Sequence, residues 1–190
     1  MAFFDRLQSE TEQARAHVTG APVIQAIQEG RFDLEGYTWF LTQAYHHVKH
    51  TVPLMMACGG RLPGRLEFVR KALVEYIEEE YGHHEWILND LAACGEDKEA
   101  IRHGSPDTSI ELMVAYLYDR INRGNPAAFF GMVQVLEGTS IELATPLGEA
   151  IQKQLGLPKE AFSYLYSHGA LDQEHFEFFR NLMNEITDPD

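Results

Sequence analysis

Cysteine is scarce in this chain. Only Cys58 and Cys94 occur, far apart and outside any Cys-x-x-Cys spacing. That excludes a disulfide framework and fits a reducing compartment. Basic residues are few as well: 15 Lys and Arg stand against 29 Asp and Glu, a net charge of −14. Nucleic acid and anionic membrane surfaces both need a basic footprint, so neither is an expected partner. No uninterrupted apolar stretch is long enough to span a bilayer. The opening Met1-Ala-Phe-Phe-Asp-Arg-Leu7 lacks the basic segment and long apolar run of a secretory leader. The expectation is a cytoplasmic protein. Strict apolar/polar alternation, the mark of a half-buried strand, is missing too.

What is present is helical periodicity. The 190 residues are 45% hydrophobic and 23% charged, ordinary for a globular protein with a sizeable core. A single domain over residues 1–190 is expected. Ser9-Glu-Thr-Glu12 fits a capping box opening a helix that breaks near Gly20-Ala-Pro22. A short piece follows through Val23, Ile24 and Ile27. Asp33 opens a helix running toward Met56, kinked at Pro53. Gly59-Gly60 and Pro63-Gly64 read as a turn. One long helix is expected from about Arg65 to Ala93, with Gly82 unfavourable in its middle by about 1 kcal/mol relative to Ala. Close approach of another backbone, or a local break, would account for that glycine. Residues 96–106 read as a polar connection. Asp107 caps the next helix, Gly124 ends it, and Asn125-Pro126 starts another. That one runs from Phe129 to Leu155, bent at Gly138 and Pro146. A short helix near Phe162 precedes the last. The fold class is all-α, a compact bundle of about seven helices.

The last helix carries the densest chemistry. His168, Asp172 and His175 are spaced i, i+4, i+7. At about 100° per residue they share roughly 60° of arc on one helix face. Imidazole and carboxylate on one stripe make half of a transition-metal site. The same spacing also suits a solvated face with an intrahelical ion pair. A metal held by one helix is poorly enclosed, so partners are sought elsewhere. Glu80-Tyr-Gly-His83 is a Glu-x-x-His pair of the kind dimetal bundles use. Glu79 with His83, and Glu80 with His84, are alternatives at i, i+4. Glu137 sits in an almost wholly apolar stretch, where a carboxylate is costly unless paired or metal-bound. Glu80, His83, Glu137, His168, Asp172 and His175 together offer three carboxylates and three imidazoles. Such a set favours two iron or manganese ions over zinc, which is usually four-coordinate. His47 and His50, with Tyr45, read as pocket-lining or outer-shell groups, or as a partly exposed polar stripe. His46 and Lys49 share that stretch.

These residues resemble the heme-oxygenase-like diiron oxidases and oxygenases. That group belongs to the wider superfamily of TenA-like proteins, heme oxygenase and pyrroloquinoline-quinone synthase. The similarity spans roughly residues 20–185 in element order and is most specific at His168, Asp172 and His175. The resemblance implies a seven-helix fold and a non-heme diiron centre acting with O2 as cosubstrate. Small organic substrates of fatty-acid, amino-acid or aromatic type are implied, as is a homodimer. One departure stands out. Many members place six residues between the first Glu and first His, which here would pair Tyr76 or Ile77 with His83 or His84. The shorter Glu80-x-x-His83 form looks like the alkene-forming fatty-acid decarboxylases. Trp39, Tyr116, Phe129, Phe130 and Tyr164 are expected to wall the substrate pocket. The competing expectation is a metal-free TenA-like small-molecule-binding protein or hydrolase on the same scaffold. Thiamin-degrading TenA enzymes use a cysteine nucleophile on the middle long helix, where this chain has Glu137 instead.

Overall fold

Three aspartates start three helices. Asp33 accepts from the Gly36 amide at 2.8 Å, Asp97 from those of Glu99 and Ala100, and Asp107 from that of Ser109. Each carboxylate satisfies amides that a helix start leaves without internal partners. The computed structural model describes residues 2–187, and the side chains of residues 168–174 lie outside the description. Ten α-helical segments occur among the described residues. They are α1 (Phe3–Thr19), α2 (Pro22–Gln28), α3 (Leu34–Val48), α4 (Thr51–Arg61) and α5 (Glu67–Glu80). Then come α6 (His83–Ala93), α7 (Lys98–Arg102), α8 (Thr108–Arg123), α9 (Phe130–Leu155) and α10 (Ser163–Glu185). Short 3-10 turns lie at Gly64–Leu66, Pro126–Phe129 and Lys159–Ala161.

The all-α class is as expected, but the segments outnumber the seven anticipated. Two expected long helices are each broken in two. The stretch from Asp33 toward Met56 stops at Val48 and restarts at Thr51. Pro53 therefore sits in the first turn of α4, where its missing N–H costs nothing, and it does not kink a longer helix. Gly59 and Gly60 lie inside α4, and the turn begins only at Leu62. The 65–93 helix breaks at Gly82, whose φ of 95° lies in the left-handed region. A Cβ there would meet nothing within 4 Å, so backbone conformation alone selects glycine. Gly82→Ala should therefore cost about 1–2 kcal/mol in chemical denaturation, with no packing defect. The first helix starts at Phe3, which puts Ser9 and Glu12 in its interior; they form no cap. Residues 98–102 of the polar connection form the short α7. α9 runs unbroken past Gly138 and Pro146.

The chain divides into two units. One consists of Asp33–Met132 and Leu157–Tyr164. Here α3 packs on α6 and α8, and α4 on α5 and α8. Tyr37, Leu41, Leu54, Leu73, Leu88 and Leu91 are fully buried in it. Tyr37 stacks on Phe162 at 4.9 Å and donates its hydroxyl to the Ala161 carbonyl at 2.7 Å. The other unit consists of Met1–Phe32, Val133–Gly156 and Leu165–Asp190. Its core joins Phe4, Val133, Ile151, Leu165, Phe179 and Met183. Two glycines of α9 let α10 come close. A Cβ on Gly148 would lie 3.0 Å from the Tyr166 ring, and one on Gly138 3.3 Å from the Phe176 ring. The paired positions run in opposite directions along the chain, so the two helices are antiparallel. That pairing brings Glu137 level with His175. Among the described residues no helix is long and apolar enough to cross a membrane.

Candidate metal centre

Four of the residues expected as ligands lie in two carboxylate–imidazole pairs, one in each unit. In the Asp33–Met132 unit the break at Gly82 leaves Glu80 as the last residue of α5 and His83 as the first of α6. Both are buried, at 8% and 4% exposure. His83 Nδ1 lies 3.0 Å from Glu80 Oε2. The carboxylate accepts, so Nδ1 carries the proton in this state. The spacing also suits a cation. Two ligand atoms about 2.1 Å from one ion and at a right angle would be about 3.0 Å apart. The His83 ring is held against Trp86, stacked at 4.0 Å. Burial distinguishes this pair from the alternatives: Glu79 is exposed, and His84 is about one-third exposed beside Glu85. The i, i+3 spacing works here through a glycine-hinged junction, where a continuous helix was expected.

In the other unit, α9 and α10 bring Glu137 and His175 together. A carboxylate oxygen of Glu137 and a ring nitrogen of His175 lie within 4.8 Å. Glu137 Oε2 and His175 Nδ1 are both withdrawn from solvent. In the same unit, Phe4, Phe176 and Phe179 form an aromatic cluster with centroids 5.5–6.1 Å apart. Carboxylate and imidazole in dry surroundings are the donor types that borderline divalent metals prefer. By that chemistry the residues fit iron. His168 and Asp172 belong to α10, but their side chains lie outside those the structure describes.

The remaining expected groups divide. His47 is buried, with Nε2 lacking a hydrogen-bond partner among the described residues. Burial, aided by the nearby His50 charge, pushes its pKa down to about 4. His50 packs edge-on to Tyr118 at 6.1 Å, and burial lowers its pKa too. Buried Tyr45 lies beneath the Lys49 ammonium at 5.3 Å. Lys49 Nζ in turn donates to His46 Nδ1 at 3.0 Å. Phe129 and Phe130 are buried as a wall would be. Trp39 and Tyr116 are not: 58% and 61% exposed, they face solvent.

The neutral state of His47 gives a signed prediction. The folded pKa lies below the unfolded value near 6.5, so the unfolded chain binds the extra proton first. Stability from this residue is complete above about pH 6.5. It falls as pH drops toward 4, by about 3 kcal/mol in all. Denaturant midpoints across that window should slope upward with pH, and His47→Leu should flatten the slope.

Two buried polar residues escaped the sequence reading. Asp90, on α6, is fully buried. It accepts from the backbone amides of Ser163 at 3.0 Å and Tyr164 at 2.8 Å, and from the Ser163 hydroxyl. Burial raises its pKa, while those three donors act to lower it. Tyr164, expected in a pocket wall, is thus held by its backbone at the start of α10. Gln134, on α9, is buried to 1% exposure with neither amide atom hydrogen-bonded among the described residues. Both residues sit among apolar neighbours in sequence, the one signal that could have found them.

Neither cysteine suits a nucleophile. Burial raises the Cys58 thiol to about 12 and the Cys94 thiol to about 11. Both stay protonated at neutral pH, and the thiolate is the reactive form.

Residues 38–190 match the model of a family described as an iron-containing redox enzyme. No match was found among functionally curated proteins. The chain is similar to a crystal structure of a domain of unknown function with a heme oxygenase-like fold from Shewanella denitrificans OS217. The identity is 25% and the TM-score 0.84, over 97% of this chain and 79% of that one. The all-helical architecture agrees with the fold of that neighbour, and the carboxylate–imidazole pairs agree with the iron of the family. The chain belongs to this family of iron-containing redox enzymes and has the heme oxygenase-like fold.

Proposed function

We propose that the protein is a non-heme diiron oxidase or oxygenase acting with O2 on a small organic substrate. Its ligands in this reading are Glu80, His83, Glu137, His168, Asp172 and His175. The observation that carries it is the Glu137–His175 pair, whose ligand atoms approach within 4.8 Å. The Glu80–His83 pair supports it, with donor atoms spaced as two neighbours on one ion. A carboxylate taken out of water needs a cation or strong donors nearby. Imidazole and carboxylate suit iron, with manganese as the alternative metal.

Bound iron would supply the electrons for reducing O2. The chain's own residues bind and orient. The ring stack on Trp86 orients His83, whose Nδ1 lies 3.0 Å from Glu80 Oε2. In the unit of Glu137 and His175, Phe4, Phe176 and Phe179 form an apolar cluster, with the Phe176 ring edge against Gly138, the residue after Glu137. Glu80 Oε2 and His83 Nδ1 would hold a cation between them in place of the proton they share.

Anaerobic loading with Fe(II) tests this reading. Metal content close to two irons per chain is expected, with a transient visible absorption on mixing with O2. Iron at background in a protein of intact helical circular dichroism would overturn the proposal.

A further inference from the structure

Lys49 stands at the junction between α3 and α4. It is half-buried, so a small solute reaches its amine from solvent without a cavity. Nζ lies 3.0 Å from His46 Nδ1 and 5.3 Å from the centre of the Tyr45 ring. No carboxylate pairs with it among the described residues, in a chain that carries 29 Asp and Glu. The neighbouring titratable groups are bases. His46 is 1% exposed, and its far nitrogen Nε2 faces the segment after α7, where a Cβ on Gly104 would lie 3.9 Å away. His50 follows Lys49 in sequence and packs on Tyr118 of α8. Glu85 of α6, whose charge reaches Tyr45, is paired with Arg102 of α7. Burial without a counter-charge lowers the Lys49 amine from its ordinary pKa. A desolvated amine next to a group that can take its proton is set up as a nucleophile.

We infer that Lys49 is a nucleophilic amine that forms an imine with a small α-oxo acid, with His46 moving the proton. The Nζ lone pair attacks the carbonyl carbon. A C–N bond forms as the C=O π bond opens onto oxygen. His46 Nδ1 takes a proton from Nζ and passes it to that oxygen, giving a carbinolamine. The hydroxyl leaves as water with one proton from solvent, and an iminium ion remains. Nothing is oxidised or reduced. The oxo-acid class follows from charge. The iminium is a cation in half-buried surroundings that offer it no carboxylate, and an unpaired charge there is costly. The carboxylate of an α-oxo acid adjoins the iminium carbon and supplies the counter-charge itself. A plain aldehyde leaves the cation unpaired. The step needs no iron and stands independently of the oxygenase reading.

Reductive trapping tests this on the full-length protein. The protein is mixed at neutral pH with glyoxylate and sodium cyanoborohydride, which turns the iminium into a stable carboxymethyl amine, and peptide mass mapping locates it. Lys71, Lys98, Lys153 and Lys159 are the other lysines of the chain and serve as internal controls. Lys71, Lys153 and Lys159 are more exposed than Lys49, so exposure alone would label them first. Lys49 should instead be labelled about tenfold faster than any of the four. With acetaldehyde in place of glyoxylate that preference should shrink severalfold. His46→Gln still accepts a hydrogen bond but cannot carry the proton. It should slow labelling of Lys49 by about 100-fold and leave the controls unchanged. Labelling that follows exposure, equal preference with both carbonyl compounds, or an unchanged Lys49 rate in His46→Gln overturns the inference. Should His46→Gln not fold, the ranking of the lysines and the glyoxylate–acetaldehyde contrast decide the matter alone.

Discussion

Replacing Glu137 by alanine should strip the protein of iron while leaving it folded. Losing a partner that merely orients a metal ligand costs roughly 10–100-fold in affinity. Losing the ligand itself should exceed about 100-fold, so iron retained after gel filtration should fall toward background. The fold should not suffer with it. Glu137 is half-buried in the middle of α9, and alanine is the better helix former. The metal-free variant should therefore unfold no lower than the metal-free wild type. Glu137→Asp is the control, since it keeps the charge and withdraws it by one methylene. Iron retention unchanged in Glu137→Ala would remove this residue from the ligand set. A falling midpoint would show that its carboxylate supports the fold.

Asp90→Ala should do the opposite, unfolding the protein readily. Three donors from the start of α10 converge on this one carboxylate, and all would be left without it. Each buried donor so stranded costs about 1–3 kcal/mol. A loss of about 3 kcal/mol or more is expected, or roughly 6–12 °C in Tm for a chain of this size. Asp90→Asn should recover only part. Its carbonyl still accepts, but its NH2 faces an amide that also donates. Calorimetry on the metal-free proteins measures both variants. A shift of less than a degree or two in Asp90→Ala would show that water replaces the carboxylate.

The two residues also show what the sequence makes legible. The caps at Asp33, Asp107 and Asn125 could be read because a cap is a local event, complete within four residues. The inward position of Glu80 and His83 could be suspected from spacing, but the choice over Glu79 and His84 could not. That choice depends on a backbone break at Gly82, which redirects both side chains from where a continuous helix would put them. The same break, with that at Lys49-His50, turned two expected helices into four. Glu137 was visible as a carboxylate in an apolar run, and His175 as part of a stripe. Their approach was not, because it depends on Gly138 and Gly148 admitting α10. Asp90 could not be interpreted at all without the fold, since its partners lie 73 residues along the chain. Trp39 and Tyr116 mislead for the converse reason. An aromatic residue on a helix carries no mark of whether its side will be covered.

The order of segments in the two units bears on how the protein is made. The Asp33–Met132 stretch is nearly self-contained and is made before the last two segments of the other unit. Its α5–α6 junction can place Glu80 beside His83 while later residues are still being added. The unit of Met1–Phe32, Val133–Gly156 and Leu165–Asp190 must wait for the last helix. Phe4 already depends on it, because its amide donates to Asn184 across 180 residues. Asp90 likewise waits for Ser163. Synthesis therefore passes through a stage with one carboxylate–imidazole pair formed and the other absent, and nascent chains halted before residue 163 should be open to protease at the N-terminal helix.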